Sequence, residues 1–115
     1  MTGSDQSQDM PDDMEILFLG LLKRGPTWTP ESTVEVEKLQ EAHLANISRM
    51  RESGKLIAAG PFGDDGDLRG VYIFRVGSLE EAQALTETDP SVVVGRLYFE
   101  LHSWWVKKGT FNEQS

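Results

Sequence analysis

The sequence predicts a single α+β domain of ferredoxin-like βαββαβ order, with two helices on one face of a four-stranded antiparallel sheet. Three observations carry this expectation. Two segments with helical periodicity each stand between runs that read as strands. The second and third strand-like runs are joined by a short polar loop holding Asp65-Gly66, a hairpin turn pair. The first and third runs are apolar at both odd and even positions, the pattern of strands covered on both faces.

In chain order, Met1–Asp13 is rich in Ser, Gln and Asp, carries no Lys or Arg, and is expected to form a disordered acidic leader. The folded domain is expected over residues 14–107. Its first strand is Met14–Leu22, with Ile16, Phe18 and Leu22 on one parity and Leu17, Leu19 and Leu21 on the other. Gly25-Pro26 and Pro30 punctuate a loop. A helix should follow, capped by Thr29, with Pro30 at its first position, running to Ser53 and stopping at Gly54. Its apolar stripe is Val36, Leu39, Ile47 and Met50. All four fall within about 40° of one line, and His43 lies at the centre of that line.

Lys55–Gly60 and Gly70–Val76 read as the next two strands. Ser78 and Glu81 form a capping box for the second helix, with Leu79, Ala82 and Leu85 turned inward. That helix must end before Asp89-Pro90, because the residue before a proline is pushed out of the helical region. A short turn then leads into the last strand, Leu97–Trp105. There Leu97, Phe99 and Leu101 share one face, while Tyr98, Glu100, His102 and Trp104 share the other. Residues 108–115 are expected to fray.

Two helices can cover only one face of such a sheet, so the second apolar face needs another cover. A second copy of the chain in a two-fold homodimer is the simplest one. Composition argues against other partners. With 11 basic and 19 acidic residues and a net charge of −8, the chain has no Lys/Arg cluster for nucleic acid or an anionic membrane. The longest apolar run, Ile16–Leu22, is far too short to span a bilayer. The polar, acidic N-terminus lacks the pattern of a signal peptide. With no cysteine there is no disulfide, thiolate metal site or Cys nucleophile, and a cytoplasmic location is expected.

The stretch HLANISRMRESGKLIAAGPFGDDGDLRGVYIF, the later SLEEAQALTETDP and the closing GRLYFELHSWW resemble the YCII-related (YciI-like) family over roughly Met14–Trp105. That resemblance implies the dimeric α+β barrel, in which two ferredoxin-like subunits pack sheet to sheet. It also implies a candidate active pair of His and Asp, which the motifs place on His43 and Asp89. Among similar proteins are enzymes of aromatic degradation, including a dehydrochlorinase of chlorinated hydroxyquinols, although most have no assigned reaction. The chain departs from the common pattern at Ser91, where an aromatic is usual, and at His102–Trp105, where many members have a proline.

The residues themselves allow the same chemistry. A carboxylate bonded to one ring nitrogen of His43 would fix its tautomer and leave the other nitrogen free for proton transfer. Asp89 could supply that carboxylate. The expectation is a cofactor-free lyase, isomerase or dehalogenase acting on a small cyclic or aromatic molecule. Each residue also has a structural reading: His43 as a satisfied core histidine, Asp89 as the N-cap of the turn at Pro90. Gly60 and Pro61 are substrate-binding candidates, since glycine lets a ligand approach the backbone. Trp28, His102 and Trp104 could line the pocket, or the aromatics could pack a dimer interface. Arg69 and Arg96 could neutralise an acidic substrate, but as single arginines at strand starts they read as surface residues. No His spacing marks a metal site, and the glycines of 60–70 do not fit the dinucleotide fingerprint. The alternative function class is a non-catalytic dimeric module that holds a small molecule or a protein.

Overall fold

A computed structural model describes residues 10–111. Its elements are β1 (Met14–Arg24), α1 (Val34–Glu52), β2 (Leu56–Pro61), β3 (Leu68–Phe74), α2 (Leu79–Thr86), the single-turn α3 (Pro90–Val93) and β4 (Leu97–Lys107). The strands form one antiparallel sheet in the order β2-β3-β1-β4. This is the ferredoxin-like arrangement expected, with β1 and β3 at the centre. No helix of the described residues is long and apolar enough to cross a membrane.

Alternation along the strands splits the apolar residues into two clusters. Phe18, Leu22, Tyr72, Phe74 and Leu97 face the helices, where Met50 of α1 and Ala82 of α2 complete the core. Leu17, Ile73, Val106 and Ile57 form the second cluster on the open face, with Leu19 and Val71 packed against it. Ile57 reaches the open face through a bulge. Leu56 pairs with Phe74 and Ala58 with Ile73, so Ile57 has no partner of its own. The Arg51 guanidinium satisfies the carbonyl of Ile57 there at 2.6 Å.

Several local expectations need correction. α1 is capped by Thr33, whose hydroxyl accepts from the Val36 N–H at 3.1 Å, and not by Thr29. The reason is long-range. Gly25 N–H donates to the Arg96 carbonyl at 2.8 Å and Thr27 N–H to Gly95 at 3.0 Å, which ties the loop to the start of β4. A side chain at Gly25 would meet the Gly95 carbonyl at 2.2 Å, so only glycine permits this approach. The helix exit is as expected, with Ser53 as C-cap and Gly54 at φ +81°. Ser78 caps α2, but Glu81 reaches back to the Gly77 N–H and Leu79 is exposed. Lys108–Phe111, expected to fray, instead turns back. Phe111 packs on the open-face cluster and its carbonyl accepts from Arg75 at 3.1 Å. The rest of that tail and most of the expected leader (112–115 and 1–9) lie outside the described residues.

Candidate active site

The site begins with a chain break in helicity. Asp89 precedes Pro90 and adopts an extended backbone, so it ends the α2 turn and caps α3 through a 2.9 Å bond from the Ser91 N–H to Oδ1. This places its carboxylate under α1 with no solvent exposure. A buried charge is tolerated only where it is well bonded. Here Asp89 accepts from three donors. Besides Ser91, the Tyr72 hydroxyl donates to Oδ2 at 2.6 Å. The third donor is His43 Nδ1, 2.9 Å from Oδ1 and 2.8 Å from Oδ2.

Tyr72 comes from the helix-facing parity of β3 and is 1 % exposed. Burial first, and then the hydrogen bond and charge of Asp89, push its phenol well above the ordinary value. It is therefore held as an O–H donor. Its ring lies nearly parallel to the His43 imidazole, with an interplanar angle of 20° and centroids 6.4 Å apart. With its Nδ1 proton committed to an acceptor-only carboxylate, neutral His43 must carry its free lone pair on Nε2. No described residue bonds that nitrogen. The imidazole side chain is 12 % exposed.

His43 lines a cavity of about 300 Å³ between α1 and the β2–β3 end of the sheet. Of the residues anticipated from sequence, Trp28, Gly60 and Pro61 line it too. Nothing lies within 4 Å of the position a Gly60 side chain would take, so packing does not require glycine there. His102 and Trp104 are not brought to the cavity. They pair with Leu19 and Leu17 on the open face, where His102 bonds Glu100 at 2.9 Å and Trp104 packs edge-on against Phe111. The stronger apolar parity of β4, Leu97–Phe99–Leu101, was the signal that the helices cover the other side.

Three participants were missed or undervalued in the sequence. Tyr72 reads there as one more core aromatic. Arg69 and Arg96 read as surface residues, yet both line the cavity. Arg96 stands 4.2 Å from the Trp28 ring centroid and bonds the Thr29 carbonyl at 3.0 Å. Arg69 stands 5.3 Å from the same ring. The β1–β3 register jumps from Leu22↔Gly70 to Lys23↔Leu68, which leaves Arg69 unpaired in a bulge and free of the strand's alternation.

This geometry defines a class: a ferredoxin-like subunit of the α+β barrel type, carrying a histidine–carboxylate pair between its helices and sheet. Comparison with known proteins agrees with the fold. The YCII-related domain matches residues 22–100, and the chain belongs to that family. It is 31% identical over 80 residues to the uncharacterized protein YjpA of Bacillus subtilis (strain 168), covering 66% of this chain and 92% of that one. Among solved structures it resembles 5-chloro-2-hydroxyhydroquinone dehydrochlorinase (TftG) from Burkholderia phenoliruptrix AC1100, in complex with 2,5-dihydroxybenzoquinone. The TM-score is 0.59 at 25% identity, over 84% of this chain and 99% of that one.

Proposed function

We propose that the chain is a cofactor-free acid–base enzyme in which His43 Nε2 takes a proton from a small cyclic substrate in the cavity. The observation that carries this reading is the His43–Asp89 bond, which commits Nδ1 to a buried carboxylate and leaves Nε2 at the cavity. As Nε2 gains a proton, Asp89 stabilises the imidazolium; Tyr72 and Ser91 hold the carboxylate in place. The likeness to a dehydrochlorinase supports an elimination. A chlorinated hydroquinone would react through its keto tautomer, in which the chlorine-bearing ring carbon has gained a proton. His43 would take the proton of a remaining ring hydroxyl, whose electrons form C=O as the ring double bond shifts to the chlorine-bearing carbon and chloride leaves with its electron pair. His43 then returns the proton to water. The working unit in this reading is a homodimer that buries the open sheet face in the cytoplasm.

The test is chloride release from 5-chloro-2-hydroxyhydroquinone and related chlorinated ring substrates. His43→Ala and Asp89→Asn should each lower turnover by about 100-fold or more. Full activity in either variant sinks the proposal.

A second reading, a non-catalytic binding module, is favoured by one observation. Asp89 also caps α3, so its bond to His43 ties α1 to α3 whether or not chemistry occurs. In that case ligands bind with no His43-dependent turnover.

A further inference from the structure

The charges around the cavity are unbalanced. Asp89, the buried carboxylate among the described residues, lies behind His43 and already accepts from three donors. The guanidiniums of Arg69 and Arg96 have no carboxylate partner among the described residues. Arg69 bonds the carbonyls of Asp64 and Gly66, Arg96 bonds that of Thr29, and both lie against Trp28. Carbonyls and one ring face leave other N–H groups of each fork unused, since a guanidinium has five donors suited to paired oxygens. Burial disfavours the charge of Arg96, and no anion among the described residues offsets that cost. The nearby Arg24, by contrast, is paired with Asp65.

The remaining walls are mostly apolar: Leu22, Ile47, Ala59 and Pro61 line the space together with the Trp28 ring, and Gln40 and Ser91 add polar groups. A cavity of about 150 Å³ accommodates benzene, so about 300 Å³ here suits one substituted ring.

We propose that the cavity takes a single planar ring bearing a carboxylate or an ionised ring hydroxyl, with the anionic oxygens held by Arg69 and Arg96 beside Trp28 and the ring edge toward His43. The role of His43 as base rests on the function proposed above; the anion site does not. A local site is required, because the chain's net charge of −8 repels anions in general.

Calorimetric titration with 2,5-dihydroxybenzoate and its neutral analogue 2,5-dihydroxybenzamide separates the two ideas. The wild type should bind the carboxylate about tenfold or more tightly than the amide. Arg96→Gln and Arg69→Gln should each reduce that preference severalfold. His43→Gln should keep it, and so should Lys23→Gln, which removes a positive charge from the open face. A wild type that binds both probes equally, or neither at millimolar concentration, overturns the anion site even if His43-dependent turnover is found. A preference unchanged in both arginine variants overturns it as well. A preference that follows the arginines supports it even where no turnover is found.

Discussion

His43 and His102 each bond a carboxylate, at 2.8 and 2.9 Å, on opposite faces of one sheet. The helix-side pair is sealed: the His43 side chain is 12 % exposed and that of Asp89 0 %. In the single subunit the open-face pair is wet, with side-chain exposures of 54 % for His102 and 39 % for Glu100. Glu100 is shared with Lys23, which more than His102 holds its carboxyl below the usual range. Similar geometry thus has different consequences. Water competes for every bond of the exposed pair and screens its charge. In the buried pair each donor depends on Asp89, because no solvent replaces it. Burial, more than the His–carboxylate distance, makes a pair able to fix a tautomer.

The largest expected effect is on stability. Asp89→Ala strands the Tyr72 hydroxyl, the Ser91 N–H and His43 Nδ1 together, and should cost about 3–5 kcal/mol in denaturant unfolding. In the isolated subunit Glu100→Ala should leave the midpoint within error. Equal midpoints for the two variants would erase the contrast between the faces.

Next comes assembly. If the open face is the dimer interface, Leu19→Asp places a charge at its centre, beside Leu17 and His102's strand. Sedimentation velocity should then show a dimeric wild type and a monomeric variant with unchanged circular dichroism. A monomeric wild type at micromolar concentration would remove the dimer from the proposal.

Tyr72→Phe should cost about 1.5–3 kcal/mol, the range for a hydrogen bond to a charged group. Its pH dependence has a defined sign. Burial and Asp89 raise the Tyr72 phenol in the folded state above its ordinary value of 10.0. The stabilisation is therefore fully present below pH 10.0 and is lost as the pH rises beyond it, when the unfolded chain ionises and the folded one does not. The wild type's advantage over Tyr72→Phe should shrink in alkaline denaturant titrations, and a constant advantage would contradict the assignment. The smallest effect is His102→Gln, which in the isolated subunit should leave unfolding unchanged.

Much of this arrangement was legible in the sequence because it rests on local chemistry. The Ser78 cap, the Gly54 exit and the Asp89-Pro90 stop each depend on residues within one turn. His43 was legible for a related reason, since helical periodicity alone puts it on the line from Val36 to Met50. What escaped depends on contacts far apart in the chain. The clamp of Gly25 and Thr27 on Gly95 and Arg96 moves the α1 cap to Thr33 and sets Trp28 beside Arg96. The β1–β3 bulge that frees Arg69 leaves no mark in the residue pattern. Tyr72 joins the site through a hydroxyl that a hydrophobic pattern does not register. For His102 and Trp104 the failure lay in assigning the strand's two faces, since alternation had already separated them from Leu97, Phe99 and Leu101.

The central claim is that Asp89 holds His43 with its proton on Nδ1 and its lone pair on Nε2. Long-range 1H–15N NMR of the imidazoles reads this directly, and with only two histidines in the chain His102 is the internal reference. Neutral His43 should be almost wholly the Nδ1–H tautomer in the wild type, and Asp89→Asn should disturb that preference while the His102 signals stay in place. A wild-type His43 protonated on Nε2, or one indifferent to Asp89→Asn, would contradict this role for Asp89.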